Sequence, residues 1–108
     1  MSALETLAPD QRAVLQLILR QGRGYAELAT LLRIDEAAVR ARAHAGLAAL
    51  GVGGEALSPQ RRAQVADWLL GQQDDAARRA TVRYLGDSVA ARRWAAGLRE
   101  QLAPLAAA

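Results

Sequence analysis

A chain of 108 residues is about one domain long, room for a single core or for two small modules sharing one. More than half of it is hydrophobic, but Phe is absent, no segment alternates with period two, and the expected fold is therefore all-α. Having no cysteine excludes disulfides, thiol catalysis and thiolate metal sites, while a net charge of +3 permits nucleic-acid contact without demanding it.

All fourteen basic side chains are arginine, with no lysine and no asparagine, a pattern that GC-rich coding bias produces as readily as phosphate recognition does. The charge is spread evenly, six Arg against five acids over residues 1–54 and eight against six over 55–108. No apolar run reaches the ~20 residues needed to span a bilayer, and nothing resembles a signal peptide, so the chain is expected to act in the cytoplasm.

In chain order, Ser2-Ala3-Leu4-Glu5 has the form of a capping box and predicts a short first turn. Pro9 suits the first position of a helix running to about Gln21. Its apolar residues Val14, Leu15, Leu17, Ile18 and Leu19 cover more than one stripe, which predicts contact on two sides. After Gly22-Arg23-Gly24 comes a helix Tyr25–Leu32, a turn Arg33-Ile34-Asp35 and a second helix from Glu36 to Leu50, with Asp35 in the N-cap position. Leu28, Ala29 and Leu32 share a face that Ile34, Val39, Ala43 and Leu50 can meet across the turn, so Tyr25–Leu50 reads as a helix-turn-helix.

Gly51-Val52-Gly53-Gly54 marks the one module boundary, giving residues 1–50, a glycine-rich linker 51–57 and a second module 58–108. Ser58-Pro59 starts a helix to about Leu70, Asp74 or Asp75 caps the next, and Ser88 caps the last, which Pro104 is expected to stop. The last helix carries a 3-4 spaced stripe, Ala91, Trp94, Ala95, Leu98, Leu102 and Leu105, suited to a partner helix. Six helices result.

The first half resembles the region-four promoter-binding domain of bacterial sigma factors. The residues carrying the likeness are Leu7, Pro9, Arg12, Val14, Leu15, Gly22, Tyr25, Glu27-Leu28-Ala29, Leu32, Ile34, Glu36, Val39, Arg40, Arg42, His44 and Leu50, without a gap. The resemblance implies that the second helix enters a DNA major groove, with Arg33, Glu36, Arg40, Arg42 and His44 left to touch bases or phosphates. The family's basic run beyond the histidine is replaced by Ala45-Gly46-Leu47-Ala48-Ala49, and Arg33 stands where glycine is common. Arg42 can either face DNA or pair with Glu27 inside the motif, and the lone His44 reads more simply as a surface residue than as a ligand. Leu47 and Leu50, with Trp68, Trp94 and Leu98 further on, are the apolar positions open to a protein partner or a homodimer.

The second half resembles the helical anti-sigma domain over about Ser58 to Leu105. Val65-Ala66-Asp67-Trp68-Leu69-Leu70-Gly71 is similar to that domain's opening, and the Arg-rich and closing helices follow in order. Zinc-bearing members hold the metal with a His-x3-Cys-x2-Cys motif; Tyr84, Ser88 and Ala91 occupy those positions here, which excludes a structural zinc. Tyr84, Leu85 and Trp94 are the candidates to fill that space.

With one histidine, no cysteine and no phosphate-binding glycine loop, no catalytic role, cofactor or small-molecule substrate is expected. The expectation is a transcription-related regulator, a sigma-like helix-turn-helix joined to an anti-sigma-like module. The alternative is an adaptor domain that contacts proteins and not DNA, such as the cytoplasmic head of a membrane-tethered protein.

Overall fold

In the computed structural model, which describes residues 3–107, the chain forms six α-helices: α1 (Pro9–Gln21), α2 (Tyr25–Leu32), α3 (Glu36–Leu50), α4 (Pro59–Leu69), α5 (Asp75–Asp87) and α6 (Val89–Ala107). Short 3-10 turns at Ala3–Thr6 and Gly54–Ala56 precede α1 and α4, and no strand occurs among the described residues. The fold is all-α. Ser2, and with it the capping box at the start, lies outside the described residues.

The helices begin where the sequence offers caps. Ser58 Oγ accepts from the Arg61 N–H at 3.2 Å, Asp74 Oδ1 from Ala77 at 2.8 Å, and Ser88 Oγ from Ala91 at 3.1 Å, each satisfying a donor the helix leaves orphaned. Asp35 occupies its expected N-cap position with extended backbone, but its side chain makes no cap bond; only its carbonyl accepts, from Ala38 and Val39.

Pro104 does not stop α6. It removes the N–H that the Glu100 carbonyl would accept, yet the helix continues to Ala107. Leu105 beyond it is 1% exposed, and Arg20 Nε donates to the Leu105 carbonyl at 2.6 Å, which holds the last turn against α1.

α1 packs on both α3 and α6, as its double apolar face requires. Its Val14, Leu15 and Ile18 meet Val39, Ala43, Leu47 and Leu50 of α3 and the whole 3-4 stripe of α6 in one buried cluster. That stripe is therefore spent inside the chain. A radius of gyration of 13.2 Å matches the ~13 Å of one compact domain of this length, so the two halves pack as one body.

The glycine stretch 51–54 is packed at its two ends, while Val52 stays exposed and Gly53 borders open space. The Trp94 indole lies against it so closely that a Cβ on Gly51 would collide with Trp94 Nε1, and one on Gly54 would sit 2.9 Å away. Leu57 follows into the core at 5% exposure. Glycine is needed here because a tryptophan occupies the space a side chain would take.

The expectation of outward apolar anchors is corrected. Leu47 and Leu98 are fully buried and Leu50 and Trp94 nearly so; the chain covers them itself. Trp68 alone keeps partial exposure, with the Arg99 guanidinium stacked 5.0 Å above its ring. Tyr84 packs under Arg61 at 4.1 Å, and Trp94 lines the glycine stretch.

Replacing Leu47 by Ala should cost about 2–5 kcal/mol in urea unfolding, the range for a buried leucine. Gly51→Ala should lower the melting temperature through its clash with Trp94. A loss below ~1 kcal/mol for Leu47→Ala would mean that its site is not core.

Candidate nucleic-acid interface

The turn between α2 and α3 is built by backbone bonds. The N–H groups of Arg33 and Ile34 both reach the Ala29 carbonyl, the latter at 3.1 Å, an arrangement of the Schellman type that closes a helix through a left-handed residue. That residue is Arg33, at φ 56° and ψ 46°, a region that disfavours any side chain with a Cβ. Ile34 then tucks against the core and Asp35 starts α3. This is the backbone of a helix-turn-helix.

α3 divides lengthwise into three faces. Val39, Ala43, Gly46, Leu47 and Leu50 face inward, and Leu15 Cδ1 would lie 2.9 Å from a Cβ on Gly46. Ala37, Ala41, Ala45 and Ala48 form an exposed outer stripe without hydrogen-bonding groups. Between them run Glu36, Arg40 and His44, on the edge toward α4.

On that edge the structure builds a cluster around Asp67, from the last turn of α4. Its Oδ2 accepts from Arg40 Nη2 at 2.8 Å and Nε at 3.2 Å. Its Oδ1 accepts from the Tyr25 hydroxyl at 2.7 Å and from His44 Nε2 at 2.7 Å. A carboxylate offers no proton, so the His44 contact requires the hydrogen on Nε2. The Tyr25 and His44 rings meet edge to face at 6.4 Å.

The electrostatics follow from this geometry. Burial alone would raise the Asp67 carboxyl, but hydrogen bonds from His44, Arg40 and Tyr25 outweigh it and hold the group well below the usual carboxylate range. Burial first, then the bond to Asp67, pushes the Tyr25 phenol far above its ordinary value. The bond to Asp67 likewise keeps Arg40 firmly charged.

The five side chains assigned to DNA have different fates. Arg40 and His44 are brought together, but on Asp67. Arg42 points to the other side and reaches Asp10 of α1 at 3.5 Å. Its pairing with Glu27 is not formed, because Glu27 instead accepts from the Gly24 N–H at 3.1 Å and lies 3.7 Å from Arg23. His44 is half-buried, not a surface residue. Arg33 and Glu36 are exposed and in no salt bridge among the described residues.

Gln72, just past α4, ties the second half to the start of α2. Its Oε1 accepts from the Tyr25 N–H at 2.9 Å and its Nε2 donates to the Arg23 carbonyl at 3.1 Å. Neither Asp67 nor Gln72 stood out in the sequence as a site residue. Asp67 did leave a signal: an aspartate in the last turn of a helix, where the dipole disfavours negative charge, flanked by Val65-Ala66 and Trp68-Leu69, needs a partner.

The fold and turn thus define a helix-turn-helix protein. Residues 1–50 match the family described as Sigma-70, region 4, so the first half is similar to the sigma-factor domain that its residues suggested. No curated protein and no solved structure matches the chain.

Two outcomes are expected. Arg33→Gly should stabilise the fold by roughly 0.5–1 kcal/mol, relief of the left-handed strain exceeding the entropy glycine adds to the unfolded chain; a loss of stability would show a structural role for the side chain. Asp67→Ala should destabilise by about 1–3 kcal/mol at neutral pH, since it orphans half-buried donors. Because the folded pKa of Asp67 is depressed, its contribution is complete above the ordinary carboxylate value near ~4 and is lost as pH falls below it. Urea midpoints across the acid range should therefore fall less steeply in Asp67→Ala than in the parent chain.

Proposed function

We propose that the protein is a transcription-related regulator whose helix-turn-helix contacts duplex DNA with the front of α3 and the turn before it. The observation that carries this is the intact motif in a region similar to sigma-70 region 4, with the Arg33 and Arg40 side chains exposed near its leading edge. Arg33 and Arg40 serve as phosphate contacts, and Glu36 is the one exposed acceptor in the first turn, suited to a cytosine amino group. The alanine stripe offers no donors to base edges, so affinity rests on the backbone and sequence preference is weak.

The resemblance of residues 58–105 to an anti-sigma domain supports a regulatory role for the second half, acting on α3 within the same molecule. The role is one of binding, not catalysis, and belongs to the cytoplasm; no helix among the described residues is long and apolar enough to cross a membrane.

That same alanine stripe favours a second reading, in which α3 presents a small, flat apolar face to another protein and the motif works as an adaptor. Titration of a short promoter-like duplex separates the two. Binding should appear at ~0.05 M salt and weaken strongly by ~0.2 M, and Arg33→Ala should reduce the salt slope by about one. Absence of binding at low salt, both in the parent chain and with the Asp67 charge removed, would overturn the DNA reading and leave the adaptor.

A further inference from the structure

Among the described residues, Asp67 is the one carboxylate that the second half places on α3. Arg40 forms a two-nitrogen fork on one of its oxygens, while His44 and the Tyr25 hydroxyl both donate to the other. Three donors from two helices of the motif thus converge on a single two-oxygen anion. A phosphodiester presents the same features, two acceptor oxygens and one negative charge, and the arginine fork suits either. The Arg40 side chain is 47% exposed, whereas His44 at 20%, Asp67 at 17% and the buried Tyr25 are covered, so Arg40 stands at the open edge and the other two donors are reached only when the carboxylate moves aside.

We propose that Arg40, His44 and Tyr25 form a phosphate-binding site for the DNA backbone, and that Asp67 occupies it as a built-in competitor. This rests on the DNA-contacting reading and adds its regulation. Being tethered, Asp67 meets the donors at a high effective concentration, and a phosphate must displace it. The α4 backbone also runs beside the rear of α3, where His44, Ala45 and Ala48 face Ala63 and Ala66 across a groove of about 260 Å³. A partner or condition that draws α4 away would open the site and the rear of α3 together. Gln72 on Tyr25 strengthens the same closure, since it fixes the residue whose hydroxyl completes the cluster.

The experiment compares the full chain with Asp67→Asn, which keeps the shape but removes the charge. Binding of a short mixed-sequence duplex should tighten at least ~10-fold in Asp67→Asn, with a salt slope steeper by about one. Asp75→Asn, which removes an exposed acid away from the cluster and raises the net charge by the same one unit, should leave affinity within about twofold; an equal gain there would overturn the competitor. Equal affinity and slope in the parent and Asp67→Asn would overturn the competitor while leaving the DNA reading in place.

If neither form binds duplex, inorganic phosphate is titrated while the His44 ring signals are followed by NMR. A response confined to Asp67→Asn keeps the masked anion site and overturns only DNA as its ligand; no response in either overturns both. A measurement on the unaltered chain guards against misfolding of the variant: saturating duplex must shift the Asp67 carboxyl carbon signal, and an unmoved signal in the bound protein overturns the displacement.

Discussion

One carboxylate ties the two halves of this protein together at the place where function is expected. Asp67 takes hydrogen bonds from Arg40, His44 and Tyr25, all of 2.7–2.8 Å at their shortest. Each donor comes from the helix-turn-helix and the acceptor from α4. Removing Asp67 would strand three donors at once, whereas removing one donor leaves the carboxylate two others. The orientation of α3 against α4 depends on it.

The packing beneath that cluster makes the closure possible. α1 lies between α3 and α6, so the motif's inner face and the stripe of the last helix share one core. The glycines at 51 and 54 allow Trp94 to come against the connection, and Gln101 Nε2 donates to the Leu50 carbonyl at 2.7 Å, closing the end of α3. With those contacts in place, α4 can run alongside α3 and bring Asp67 level with Arg40 and His44.

The consequence for function is a tension within one helix. The skeleton of a DNA-contacting motif is complete, yet the basic side chains of its second helix are held by acids of the same chain: Arg40 and His44 by Asp67, Arg42 by Asp10. Phosphate contacts supply most of the affinity in nucleic-acid binding, so such pairing controls affinity directly. A buried or half-buried ion pair contributes little net stability but fixes geometry. Here it fixes which side of α3 is available.

The sequence by itself determined the local structure. Caps at Ser58, Asp74 and Ser88, the apolar spacings and the turn Arg33-Ile34-Asp35 placed the helices and the motif within a residue or two, because those signals act between neighbours along the chain. The apolar stripe of α6 was legible too, though not what would cover it. Pro104 misled, since its local cost is outweighed by the anchoring of Leu105. The glycine stretch misled in part: composition cannot show that Gly51 and Gly54 lie under a tryptophan while Val52 between them stays exposed. The site was the least legible part. Arg40 and His44 were recognised by their position on α3, but their partner lies 27 and 23 residues away, and Tyr25 is 42 residues from it. No periodicity connects positions so far apart. Only the tertiary structure brought Asp67 onto the motif, because that contact exists only once α1, α3 and α6 have packed and set α4 alongside.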